Sequence, residues 1–378
     1  MDFDFSEDQE MLRDSVRRWV AKDHGFETRR AAAKAGGFSR RTWDGIAGLG
    51  VMGLAVPDAH GGLGFGPVEG MVVMEELGRG LVMEPVAQTA LVAPVVLGAA
   101  GDAGAPWLGR IAGGEAIVVL AQEERRSRYR LDRIETTARR SGDGWALDGT
   151  KIAVPAAPHA DAFLVSARVS GADDGGAGVA LFLVEKGARG VSTEAYPTQD
   201  GASSGSLVLA GAAATLLVGP GTALDVLAHA ADVAIAGLAA EAVGAMDALV
   251  ALTVEYMNTR KQFGVAIAGF QALRHRIADV KMQLELARSM SYFATLKLGE
   301  EPQARRRAIS QAKVQLGQSM RFVGQQCIQL HGGIGVTEEY ASSHYFKRLT
   351  VIELSFGDTL HHLGEVSSRM QDTAGVFA

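Results

Sequence analysis

Cys327 is the single cysteine among 378 residues. An intrachain disulfide is excluded, and a reduced, cytoplasmic setting is expected. Zinc-type spacing is missing as well, since His361 and His362 are adjacent and the other histidines are dispersed. No basic tail or stripe runs through a chain of formal net charge -6, so nucleic acid is not expected as a partner. The opening stretch "MDFDFSEDQEMLRDSV" is acidic and amphipathic, whereas a signal peptide is basic and then apolar. Uninterrupted apolar runs of membrane-spanning length are also lacking. Pro94 breaks the stretch 86–101, and Asp225, Asp232, Glu241 and Asp247 break 223–252, so no membrane partner is expected.

What is present is apolar side chain, 47% of the sequence, enough for sizeable packed cores in two or three domains. Ser6 with Gln9 forms a capping-box pattern ahead of Met11, Leu12, Val16, Trp19 and Val20 at helical spacing. A second helix is predicted around 40–49, ending at Gly50, and a third through "EGMVVMEELGRG" beyond a Pro/Gly-rich loop. The texture changes near Ala116. Short runs such as "AIVVLAQ", "DAFLVSARV" and "VALFLVEK", punctuated by "SGDG" and "GADDGGAG", predict an antiparallel β-domain. Helical periodicity returns from 223, with long segments at 223–260, 268–298 and 304–330 and a terminal one, the pattern of an antiparallel bundle. The expected fold class is α+β: an N-terminal helical domain (1–115), a central antiparallel β-domain (116–222) and a C-terminal four-helix bundle (223–378).

Three segments make this order specific. "WDGIAGLGVMGLAVPDAHGGLG", "YMNTRKQFGVAIAGFQALRHRIADV" and "CIQLHGGIGVTEEY" resemble, in order and spacing, the signatures of the acyl-CoA dehydrogenase family. The resemblance implies a flavoenzyme that binds FAD, oxidises an acyl-CoA thioester between its α and β carbons, and passes electrons to an electron-transferring flavoprotein. The α-proton of a thioester is weakly acidic. A carboxylate must remove it while donors hold the developing enolate oxygen, and the β-hydrogen leaves as hydride to the flavin. In the family, Arg-x-Gln-Phe-Gly reaches the FAD of a neighbouring subunit, which assigns Arg260, Gln262, Phe263 and Gly264 to that cofactor. A guanidinium fork suits the pyrophosphate, and glycine permits close backbone approach. Phe270 and Gln271 match the next contact, and Gln329, Gly332 and Gly333 match the loop at the adenosine side. His331 stands where an apolar residue is usual and is expected at the surface.

Other positions depart from the family pattern. Where members carry Thr-Glu-Pro-x-Ala-Gly-Ser-Asp near their own flavin, this chain has "QEERRSRYRLD", keeping a Gln-Glu and Ser127. Its Arg125, Arg126, Arg128 and Arg130 are open to two uses, meeting an acidic acyl chain or CoA phosphates, or forming a solvated charged loop. Downstream, Ala153-Val154-Pro155 replaces Trp-Ile-Thr, so the aromatic and hydroxyl groups of that segment are gone. Near the C-terminus, aligning Arg348 puts Gly357 on the catalytic glutamate, Asp358 on the following glycine and Thr359 on the flavin-contacting threonine. The position of the base in a second subgroup falls on Ala234.

Motifs given to a neighbour's FAD thus persist while those serving the chain's own flavin are eroded. The segments "EYASSHYFKRLT" and "VIELSFGDTLHHL" are similar to small subunits of two-component members, the pimeloyl-CoA dehydrogenase small subunit among them. The first expectation is therefore a subunit of a mixed tetramer, a dimer of dimers whose companion chain carries the glutamate. The alternatives are a homo-oligomeric dehydrogenase or an oxidase using Asp358 as base after a small loop shift, and a scaffold without turnover. Glu353, one turn before the loop, is expected to be structural.

Overall fold

The computed structural model describes residues 5–370. In chain order, helices α1 (Glu7–Asp23), α2 (Phe26–Lys34), α3 (Arg40–Ala47), α4 (Pro67–Arg79), α5 (Ala93–Ala99) and α6 (Ala105–Ala112) come first. Strands β1 (Val118–Ala121), β2 (Thr137–Ser141), β3 (Gly144–Pro155), β4 (Ala162–Arg168), β5 (Val179–Glu185), β6 (Val191–Pro197) and β7 (Ser203–Val218) follow. The helical remainder is α7 (Ala223–Thr259), the small hairpin β8 (Lys261–Gln262) and β9 (Val265–Ala266), then α8 (Gln271–Lys297), α9 (Pro302–His331), α10 (Ala341–Leu354) and α11 (Thr359–Ser368). The succession of helices, sheet and helices is the expected α+β architecture. By their internal packing the residues form two compact units.

Among the described residues, one unit holds 5–29, 71–82 and 235–370. It opens on the capping box foreseen at Ser6, whose hydroxyl accepts the Gln9 N–H while the Gln9 side chain accepts the Ser6 N–H. Its core is built on α7. By length and composition α7 is apolar enough to cross a membrane, but 78% of its most apolar window is buried inside the protein, as in a core helix. The α4 and α7 backbones touch where they cross. A side chain on Gly78 would collide with the Glu241 carbonyl, and one on Gly244 with the Glu75 carbonyl. Ion pairs flank the crossing, Arg79 to Asp247 at 2.6 Å and Arg288 to Glu75 at 2.6 Å.

The other unit holds residues 30–70 and 83–234, including all seven strands of the large sheet. Its strand order is β1-β4-β2-β3-β7-β5, with β6 on β7 and β5 also pairing β4. The sheet is mainly antiparallel, as expected, with two departures at β4: β1 runs parallel to it over Val118–Ala121, and β2 meets it in parallel at Thr137 and Arg168. The Asp161 carboxylate, just ahead of β4, accepts the Ile117 N–H at 2.8 Å and starts both strands level. A π-helical turn over Ala87–Val92 precedes α5 and is joined to β1 through Thr89, whose hydroxyl bonds both the carbonyl and the N–H of Val118. Pro94, which has no N–H to donate, sits where the π-helical turn passes into α5.

Candidate active site

At one end of the bundle the chain leaves α7 and turns back at once. Ile267 N–H donates to the Arg260 carbonyl at 2.9 Å, closing the β8–β9 hairpin. Its two turn residues, Phe263 at φ 53° and Gly264 at φ 83°, both lie in the left-handed region that a tight two-residue hairpin requires. The Phe263 ring is 92% exposed and meets only the edge of Phe270, 6.2 Å between centroids. Beneath the hairpin, Ile267 packs with Met257 and with Leu330 of α9. That small core ties two distant sequence segments together. Arg260, Gln262, Phe263, Gly264, Phe270 and Gln271 stand on the hairpin and the start of α8; Gln329, Gly332 and Gly333 stand at the end of α9, and all nine are exposed. Open space lies beyond Gly264, Gly332 and Gly333. An exposed guanidinium, unobstructed glycine backbone and a largely uncovered aromatic ring fit the phosphates and ring of a dinucleotide. His331 is not at the surface, against expectation. Its Nδ1 bonds the Cys327 carbonyl at 2.8 Å, the rings of Tyr256 and Tyr340 flank it, and burial lowers its pKa.

The loop that carries the expected base position is held from below by one stripe of α9. Ser310 Oγ bonds His362 Nδ1 at 3.2 Å. Lys313 Nζ donates to the carbonyls of Ile352, Glu353 and Ser355 at 2.7, 3.2 and 2.9 Å. Gly317 leaves just enough room for the Thr359 hydroxyl, and Arg321 reaches Glu353 at 3.4 Å. Spacings of three and four residues put all four on one helix face. Burial pushes Lys313 down to about 7 and His362, with Lys313 beside it, down to about 3, so the imidazole is neutral. His362 Nε2 then fixes the Phe356 carbonyl at 3.0 Å, and Phe356 itself is left-handed at φ 56°.

Each carboxylate of this loop has a structural task. Asp358 is the N-cap of α11 and accepts the His361 N–H at 2.8 Å. Glu353 accepts both the Thr359 N–H, at 3.1 Å, and the Thr359 hydroxyl, at 2.7 Å. Gly357 adopts φ 110°, and a Cβ placed on it would stand 2.5 Å from His361 Cδ2 and 2.7 Å from His362 Nε2. Both contacts are far inside van der Waals distance. Ala234 is buried on α7, and Glu241 is engaged by Arg348 at 2.5 and 2.8 Å.

Within the sheet unit, β3 loses register with β7 between Lys151 and Val154. The bulge turns Ala153 left-handed, at φ 51°. Its N–H is taken by Tyr196 Oη of β6 at 2.8 Å, and Pro155 has no N–H to offer. The aromatic ring and hydroxyl missing from the Ala153-Val154-Pro155 segment are thus brought to Ala153 from 43 residues away along the chain. No local pattern announces this. Beside the bulge, buried Lys151 donates to Glu124 at 2.6 Å and to Ser166 Oγ at 3.1 Å. Burial works against the Glu124 charge, but Lys151, the Thr136 hydroxyl and the Glu135 N–H hold its pKa below the ordinary carboxylate value.

Three family models match almost end to end: "Acyl-CoA dehydrogenase, N-terminal domain" over residues 6–115, "middle domain" over 120–210 and "C-terminal domain" over 224–371. The chain belongs to the acyl-CoA dehydrogenase family. Its reaction is the flavin-dependent oxidation of an acyl-CoA, with FAD as cofactor. Among curated relatives it is similar to acyl-CoA dehydrogenase FadE27 of Mycobacterium tuberculosis, 28% identical over 89% of each chain. It is also similar to CarC, a subunit of the caffeyl-CoA reductase-Etf complex of Acetobacterium woodii, 26% identical over 93% of this chain and 95% of that one. Among solved structures, a variant of the Tcur3481-Tcur3483 steroid ACAD aligns at TM-score 0.85 and 29% identity, over 97% of this chain and 99% of that one. The ChsE4-ChsE5 complex of Mycobacterium tuberculosis aligns at TM-score 0.87 and 26% identity, over 99% and 100%.

Proposed function

We propose that this chain is the base-less subunit of a heteromeric acyl-CoA dehydrogenase, and that a companion chain supplies the carboxylate that removes the α-proton. The observation that carries this is the state of Gly357. Its backbone is left-handed, two imidazoles fill the direction a side chain would take, and the nearby Asp358 and Glu353 both serve as caps. A one-residue slide that would free Asp358 has to break the Lys313, His362 and Glu353 contacts together. Similarity to the ChsE4-ChsE5 and Tcur3481-Tcur3483 pairs supports a two-chain assembly, and similarity to CarC of the caffeyl-CoA reductase-Etf complex supports an electron-transferring flavoprotein as acceptor.

In this assembly Arg260 pairs with the FAD pyrophosphate, Gly264, Gly332 and Gly333 let the backbone approach it, and Gln262, Gln271 and Gln329 offer amide hydrogen bonds. Phe263 and Phe270 cover its apolar surface, and Thr359 keeps the register of a flavin-facing residue. The bound FAD supplies the acceptor for the β-hydrogen. The acyl-CoA has to be held with its α-carbon toward the companion's carboxylate and away from water.

The test is the visible spectrum of the chain purified alone and after coexpression with its companion. Alone, it is expected to hold FAD well below one per chain and to show little acyl-CoA:acceptor activity, both restored in the complex. Full flavin content in the lone chain, bleached by an acyl-CoA, would sink the proposal.

A further inference from the structure

Residues 125–134 form a closed surface loop on the sheet unit. Its neck is drawn shut by Glu124, which accepts the N–H groups of Glu135 at 2.6 Å and Thr136 at 3.1 Å, and it is anchored from inside by Lys151. The returning limb is pinned by Arg168 of β4, which donates to the carbonyls of Asp132 at 2.9 Å and Ile134 at 3.3 Å. Short, neck-closed loops of this kind often carry function.

The loop holds five arginines against one aspartate on a chain that is acidic overall. Two of the five are neutralised, Arg126 by Glu135 at 2.8 Å and Arg130 by Asp132 at 2.9 Å and Asp174 at 2.5 Å. Among the described residues, Arg125 and Arg128 are exposed without an acidic partner, and Arg133 keeps a buried Nε that meets no acceptor. The tip is strained as well. Arg128 at φ 39° and Tyr129 at φ 72° sit where asparagine and glycine are usual, closed by the Arg130 N–H to the Ser127 carbonyl at 3.0 Å. A turn that holds exposed guanidinium groups above a pinned neck offers fixed donors of the geometry that carboxylates and phosphates accept.

We propose that this loop binds an anionic group of the acyl-CoA through Arg125 and Arg128, with Arg133 behind them. The ligand chemistry is a carboxylate or phosphate whose paired oxygens match the guanidinium fork. Two parts of the substrate carry it, a carboxylate at the far end of the acyl chain and the phosphates of the CoA. The inference rests on acyl-CoA being the substrate and is independent of which chain supplies the base.

The experiment titrates hexanoyl-CoA, adipyl-CoA and 3′-dephospho-hexanoyl-CoA into the full chain, purified from its own host with any companion that accompanies it. Wild type is compared with Arg125→Gln/Arg128→Gln and with Arg40→Gln, the loss of one exposed positive charge on α3. Unchanged thermal midpoints report an intact fold. A loss of about tenfold or more for adipyl-CoA alone assigns the acyl carboxylate. A similar loss for the 3′-phosphorylated thioesters, sparing the dephospho compound, assigns the 3′-phosphate, and a loss shared by all three assigns the pyrophosphate. Affinities within twofold of wild type for all three, or the same losses in Arg40→Gln, overturn the inference. If wild type binds none of the thioesters, the functional reading falls and takes the inference with it; if wild type binds and the double variant is unaffected, only the loop's role is lost.

Discussion

At the scale of single residues, Asp358 and Gly357 separate two accounts of the chemistry. An asparagine caps a helix about as well as an aspartate, so Asp358→Asn is expected to leave both stability and the turnover of the assembled complex near wild type. Asp358→Ala is expected to cost about 1 kcal/mol of stability through the lost cap. Turnover abolished in the asparagine variant, with the thermal midpoint unchanged, would identify Asp358 as the base after all. Gly357→Glu tests the other side. It meets a left-handed backbone, worth about 1–2 kcal/mol of strain, and two imidazole rings. It is expected to lower the thermal midpoint without giving the lone chain acyl-CoA-dependent flavin bleaching.

Among the elements, α9 does two jobs at once. Its Ser310–Lys313–Gly317–Arg321 stripe fixes the loop before α11, and its last turn, through Leu330, seats the β8–β9 hairpin. The hairpin itself is nearly free of support at its tip, since Phe263 touches little of its own chain. Removing the ring therefore has little to take from folding. Phe263→Ala is expected to shift stability by less than about 0.5 kcal/mol while lowering the FAD content of the assembled complex. An unchanged flavin ratio measured by absorbance would remove Phe263 from the cofactor site.

For the whole molecule, pH sensitivity follows from groups buried in uncommon states. Burial holds His24 down to about 4 and His362 down to about 3. Below the ordinary histidine pKa, near 6.5, the unfolded chain binds protons that these rings refuse, so stability falls with acidification. Burial raises Glu84 to about 7, against the Ser39 N–H that favours its charge. That carboxyl stabilises the fold fully below about 4.5 and loses its contribution as pH rises through 7, opposing the histidines. Glu84→Gln is accordingly expected to lose more stability than wild type between pH 7.5 and 4.5, by about 2 kcal/mol, read as urea midpoints. Equal slopes for the two proteins would show that Glu84 is ionised in the fold.

Much of this was legible before folding. The capping box at Ser6 and the three long helices follow from spacing alone, and the family from the order of its signature segments along the chain. What could not be read is what depends on through-space partners. Tyr196 reaches Ala153 across β7, and Lys313 and His362 look like any lysine and histidine until the loop they hold is in place. His331 reads as a surface residue for the same reason, because its aromatic neighbours come from α7 and the segment before α10.

Two of the four glycine codons lie one base from a glutamate codon, so from either of those a single mutation places a glutamate at position 357. The imidazoles of His361 and His362 refuse it until they too have changed. On the proposed two-chain reading, a lineage that has packed its loop in this way does not return to independence by one substitution, and its gene is expected to travel with that of a companion chain.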